Sequence, residues 1–90
     1  MQNSKLNKTQ QNFRQYIEKS LSSYDFKHLH EVLKTTKYKL TSTLNSPNKM
    51  PFDILIGIAK VLGRTPISLV EEYEAGLDIL TAREYRQLLE

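Results

Sequence analysis

Apolar positions along this chain recur at helical rather than strand spacing. Phe13, Ile17 and Leu21 fall at i, i+4 and i+8 with Tyr16 beside them, which lays one apolar stripe along a helix of about residues 10–22. Thr9 is a suitable N-cap for it. The preceding "MQNSKLNK" is polar and aperiodic, so residues 1–8 read as a flexible arm. "SSYD" interrupts the stripe, and the Asp25 carboxylate can cap a following helix. Phe26, Leu29 and Leu33 then share a face, with His30 among them, and predict a short helix of about 26–33. After a turn at "KTT", Leu40 and Leu44 stand one turn apart on a helix of about 37–45, which Pro47 stops.

The second half has clearer punctuation. Pro51 suits the first position of a helix, where its missing N–H costs nothing, and Asp53 favours the positive end of the helix dipole. "PFDILIGIAKVLG" is apolar almost all round, which predicts a helix surrounded by others, and Gly63 is a good stop. In "RTPISLVEEYEAG", Thr65 caps, Pro66 starts and Gly76 ends the next helix, with Ile67, Val70 and Tyr73 inward. Thr81 and Glu84 form a capping-box pair before "AREYRQLLE". No strand pattern of useful length interrupts this series, so the chain is expected to be all-α with about six helices.

Composition narrows the functional classes. Ninety residues suit one domain, or one small domain plus an appendage. With no cysteine, disulfides and thiolate metal sites are excluded. No apolar run approaches the roughly 20 residues that span a bilayer, and the start has no signal-peptide core, so a soluble cytoplasmic protein is expected. The net charge of +3 is unevenly spread: residues 1–64 hold eleven Lys/Arg against four Asp/Glu (+7), and residues 65–90 hold two against six (−4). A basic body suits a polyanion, and an acidic end would be repelled by one. His28 and His30 diverge by about 200° on a helix and cannot easily share an ion. No metal site, cofactor or catalytic constellation is expected, so enzyme activity is not.

"FKHLHEVLKTTKYKLTSTLNSPNKMPFDILIGIAKVLGRTPISLV" resembles the lambda-repressor-like helix-turn-helix family of the Cro/Xre type, over about residues 10–70. "LIGIAKVLGRTPISLV" is most similar to that family's fourth and fifth helices. The resemblance implies a five-helix DNA-binding domain over residues 9–75, here with an additional C-terminal helix in residues 76–90. It makes 26–33 the supporting helix and 36–45 the recognition helix. Two positions depart from the family pattern: His30 stands where a small residue is usual, and Lys34 stands where the turn normally has glycine.

The opening of an α-helix can meet base edges in the major groove. On that reading Thr36, Lys37, Tyr38, Thr41, Ser42 and Asn45 are the candidate base contacts, while Leu40 and Leu44 point into the core. Lys27, Lys39, Asn48 and Lys49 are candidates for phosphate, and Lys5 and Lys8 could reach around the duplex from the arm. A plain solvated helix is the competing reading of the same side chains. Leu77, Ile79, Leu80, Tyr85, Leu88 and Leu89 are too many apolar residues for a free tail; they pack back or pair with a second subunit. The expected function is sequence-specific binding of double-stranded DNA by a homodimeric transcriptional regulator, a phage-type repressor or an antitoxin-like autorepressor whose acidic end holds a toxin. The alternative is a helical protein-interaction module whose helix-turn-helix does not bind DNA.

Overall fold

The computed structural model describes residues 4–89, with side chains described from residue 12. Every described element is helical, with no strand among the described residues, so the chain is all-α. It divides into two compact units, Met1–Ser46 and Pro47–Glu90.

In the first unit, α1 (Ser4–Ser20) buries Phe13 and Ile17 completely. Burying two side chains of that size contributes roughly 1.5–3 kcal/mol each. The helix starts ahead of the expected Thr9 cap, so residues 4–8 extend it rather than forming a separate arm. Residues 1–3 and the side chains of Lys5 and Lys8 lie outside the described residues. Ser22, not Asp25, caps the next helix: its extended backbone and its Oγ, which accepts from the Asp25 N–H at 3.0 Å, fit the role. Asp25 instead sits in the first turn, where its charge favours the dipole.

The helix expected over 26–33 is two short ones, α2 (Ser23–Lys27) and α3 (Leu29–Val32). The break falls at His28, and its cause is local. The His28 ring donates from Nδ1 to the Tyr24 carbonyl at 2.9 Å, the same oxygen that accepts the His28 backbone N–H at 3.1 Å. A side chain that returns to the backbone in this way competes with regular helix. The Tyr24 and His28 rings also stack with centroids 4.1 Å apart. The chain resumes at α4 (Lys37–Asn45), which packs on α1. It ends at Asn45, with Pro47 two residues on, as expected of proline.

In the second unit a 3-10 turn (Pro47–Lys49) leads to α5 (Phe52–Leu62), α6 (Pro66–Tyr73) and α7 (Ala82–Leu89). Pro51 occupies the N-cap rather than the first helical position, with ψ 154°. Along α5, Leu55, Ile58 and Ala59 are buried, but Val61 reaches solvent, so the enclosure is less complete than the all-round apolar pattern suggests. Gly63 closes α5 at φ 72°, as expected. Gly76 does not close α6: that helix stops at Tyr73, where Glu74 takes the left-handed conformation at φ 61°. Thr65 has N-cap backbone geometry without a side-chain cap bond; Ser68 Oγ donates to its carbonyl at 2.6 Å. The Thr81–Glu84 capping box is present in both directions, each bond 3.1 Å.

A clasp ties the start of the second unit to the segment that follows α6. Gly76 N–H donates to the Pro47 carbonyl at 2.6 Å, and Asp78 N–H donates to the Asn48 carbonyl at 2.9 Å. Asn48 Nδ2 completes it by donating to the Asp78 carboxylate at 2.6 Å. Met50, Leu55, Leu69 and Ala75 form the fully buried centre of this unit.

Candidate nucleic-acid interface

The segment Lys34–Asn45 presents the candidate side chains. It begins with a Schellman stop. Leu33 is the C-cap of α3, Lys34 follows at φ 57°, the Lys34 N–H donates to the Glu31 carbonyl at 3.1 Å, and the Thr35 N–H donates to the His30 carbonyl at 2.9 Å. The turn thus places positive φ on a lysine rather than on a glycine. Left-handed backbone costs an L-residue about 1–2 kcal/mol, so this turn is maintained against a local penalty.

Thr36 then opens α4 as its N-cap (φ −94°, ψ 158°), and its Oγ1 accepts from the Lys39 N–H at 3.1 Å. The hydroxyl expected to read a base therefore has one lone pair engaged in capping, with its proton still available for donation. Leu40 and Leu44 are 6 % and 2 % exposed. Tyr38 is 83 % exposed, and Lys37, Lys39, Thr41 and Ser42 are also exposed. The helix is thus anchored by its two leucines and presents hydroxyls, ammonium groups and one phenol to solvent.

Asn45 is exposed but not independent. Its Oδ1 accepts from Arg14 Nη1 at 2.9 Å, and Arg14 Nε pairs with Glu18 at 3.2 Å. The Asn45 carbonyl is committed to α1, which leaves its amide N–H groups as the outward donors. Arg14 was not among the sequence candidates. Its spacing to Glu18 signals the ion pair, but no local pattern signals a bond to Asn45.

Among the phosphate candidates, Lys27 and Lys39 are exposed in the first unit, on α2 and α4. Asn48 and Lys49 belong to the second unit. Lys49 is exposed there, but Asn48 is only half-exposed: its Nδ2 is held by Asp78, and its Oδ1 is buried without a hydrogen-bond partner. The Asn48 amide is thus engaged by the Asp78 carboxylate rather than standing free in solvent as Lys49 does. The like negative charge of Asp78 would also repel an approaching phosphate.

His30 is half-buried, with Nε2 3.9 Å from the Glu31 carboxylate, too long for a hydrogen bond. It lines an open groove of about 240 Å³ between α1, the α2–α3 segment and α4. No group of three or more metal-ligating side chains is assembled among the described residues. No described helix is long and apolar enough to cross a membrane. Comparison with known protein families, curated proteins and solved structures found no match to this chain.

Proposed function

We propose that this chain binds double-stranded DNA sequence-specifically, with α4 entering the major groove, and works as a homodimeric transcriptional regulator in the cytoplasm. The observation that carries the reading is the division of α4: Leu40 and Leu44 are buried, while Lys37, Tyr38, Thr41 and Ser42 stand in solvent with no acidic residue on the helix. A helix anchored in this way can insert its polar side into a groove about 12 Å wide. Lysine can donate to guanine O6 and N7, and the threonine methyl can meet thymine. Lys27 and Lys39 supply charge for phosphates, and Thr36 sets the start of the helix while keeping one donor outward.

The test is selection of bound duplexes from a random pool, repeated with Lys37→Ala and Ser42→Ala. Each variant should change the selected bases within one half-site and leave the half-site spacing intact. Binding that selects no sequence, or the same sequence in all three proteins, would rule out direct readout by these side chains. Affinity should fall steeply with salt, since each neutralised phosphate releases counterions.

A second reading rests on a different observation. Leu77, Ile79, Tyr85 and Leu89 are exposed large apolar side chains in the acidic end of the chain, residues 65–90. They suit a protein contact, either the proposed dimer or a toxin held by an antitoxin-like autorepressor. If the chain retards no duplex even at low salt, it is a helical interaction module using this surface.

A further inference from the structure

The groove in the first unit has the composition of a binding site for a small organic anion. Its apolar lining is Phe26, Leu40 and Leu44, of which both leucines are buried. Its cationic lining is Arg14, Lys27 and Lys37, and no aspartate or glutamate lines it. Arg14 is already braced by Glu18 and Asn45, but neither Lys27 nor Lys37 forms an ion pair with a described residue. Exposed ammonium groups beside a buried apolar floor complement a ligand with a hydrophobic body and one negative head.

Size narrows the class further. An apolar cavity of about 150 Å³ accommodates a benzene ring. The groove's volume of about 240 Å³ therefore takes one ring with room for a carboxylate. We infer that this groove binds a small aromatic carboxylate, with its ring over Phe26, Leu40 and Leu44 and its carboxylate towards Lys27 and Lys37. With so few heavy atoms, a dissociation constant on the order of 1 mM is the reasonable expectation.

The site has a regulatory consequence. Lys27 and Lys37 are also proposed duplex contacts, so a bound carboxylate would neutralise charge on the DNA-binding surface and weaken duplex binding. That consequence rests on the DNA-binding reading; the occupancy of the groove does not.

The experiment is a titration of the full chain, followed by amide chemical shifts, with benzoate, with benzyl alcohol as its neutral counterpart, and with acetate as an anion lacking the ring. Benzoate should give saturable shifts centred on Phe26, Leu40 and Thr41, with the other two probes much weaker. The double variant Lys27→Gln, Lys37→Gln should weaken benzoate by roughly three- to tenfold, as expected for exposed charges, while leaving the spectrum otherwise native. Four results would overturn the inference: no saturable benzoate shift, equal binding of benzyl alcohol, equal binding of acetate, or full benzoate affinity in the double variant. Groove shifts that track protein concentration without any ligand would make a second copy of the chain the occupant and also overturn it. Because no duplex is present, this outcome is independent of whether the chain binds DNA; a mobility shift with and without benzoate then reads the consequence separately.

Discussion

Lys34 and Gly76 show how differently positive φ can be accommodated. Lys34 adopts φ 57° with a side chain that disfavours it. Replacing it with glycine removes about 1–2 kcal/mol of steric cost, partly offset by the roughly 0.5–1 kcal/mol of backbone entropy that glycine loses on folding. Lys34→Gly should therefore stabilise the chain by about 0.5–1 kcal/mol, seen as a rise of a few degrees in thermal midpoint. Lys34→Gln, which removes the charge but keeps the Cβ, should not; an equal gain in both would assign the effect to charge instead. Gly76, at φ 72°, has a second constraint, because a Cβ there would lie 3.1 Å from the Met50 carbonyl oxygen and 3.2 Å from Leu80 Cγ. Gly63 has the same φ, with nothing within 4 Å of the corresponding position. Gly76→Ala should cost more than Gly63→Ala in urea denaturation, since the Met50 backbone cannot yield as a side-chain tip can. Equal losses would mean that backbone conformation alone governs both sites.

At the scale of elements, helices closed by strong local chemistry were the ones legible in the sequence. α5 lies between Pro51 and Gly63, starting one residue later than expected because Pro51 is its N-cap, and the α7 start is marked by the Thr81–Glu84 reciprocal pair. The break between α2 and α3 was not legible, because it depends on a histidine ring bonding a carbonyl one turn back, a choice of rotamer and tautomer that periodicity does not encode. The end of α6 was hidden for a related reason: Gly76 is the better stop by propensity, yet its N–H is taken by Pro47 and Glu74 turns the chain first. α4 was legible in its bounds and its two faces, but the pairing of Asn45 with Arg14 and of Asn48 with Asp78 was not, because the partners lie about thirty residues apart in sequence. The faces of α4 carry a prediction of their own. Leu44→Ala should destabilise the chain by about 2–5 kcal/mol, as for other buried leucines. Tyr38→Ala and Ser42→Ala should change stability by no more than about 0.5 kcal/mol. A large loss at Tyr38 or Ser42 would show that the exposed face is supporting the fold rather than reserved for a partner.

For the whole molecule, the charge division and the apolar exposure fall at the same end. Residues 65–90 carry a net −4, and within them Leu77 and Leu89 are 53 % and 61 % exposed. On α7 only Leu88 is buried, while Tyr85 and Leu89, one turn apart, remain open to solvent. A second copy covering this face would remove apolar surface from water, and on the proposed reading a two-fold dimer can set two recognition helices about 34 Å apart. Deleting the segment is a poor way to test this, because Gly76 and Asp78 hold the clasp to Pro47 and Asn48, so truncation would disturb the fold as well as the contact. The cleaner probe is the pair of exposed substitutions Tyr85→Glu and Leu89→Glu, which place a carboxylate at each open apolar position and leave Leu88 in place. Sedimentation equilibrium should report a dimer for the parent chain and a monomer for the double variant, with helical content unchanged by circular dichroism. On the proposed DNA-binding reading, duplex affinity should then fall by far more than the loss of any one phosphate contact, because half-site binding would no longer be reinforced by the linked partner. A parent chain that sediments as a monomer would rule out the homodimer, and a charged variant that remains dimeric would place its contact elsewhere; either would leave the exposed apolar side chains of α7 for a different protein.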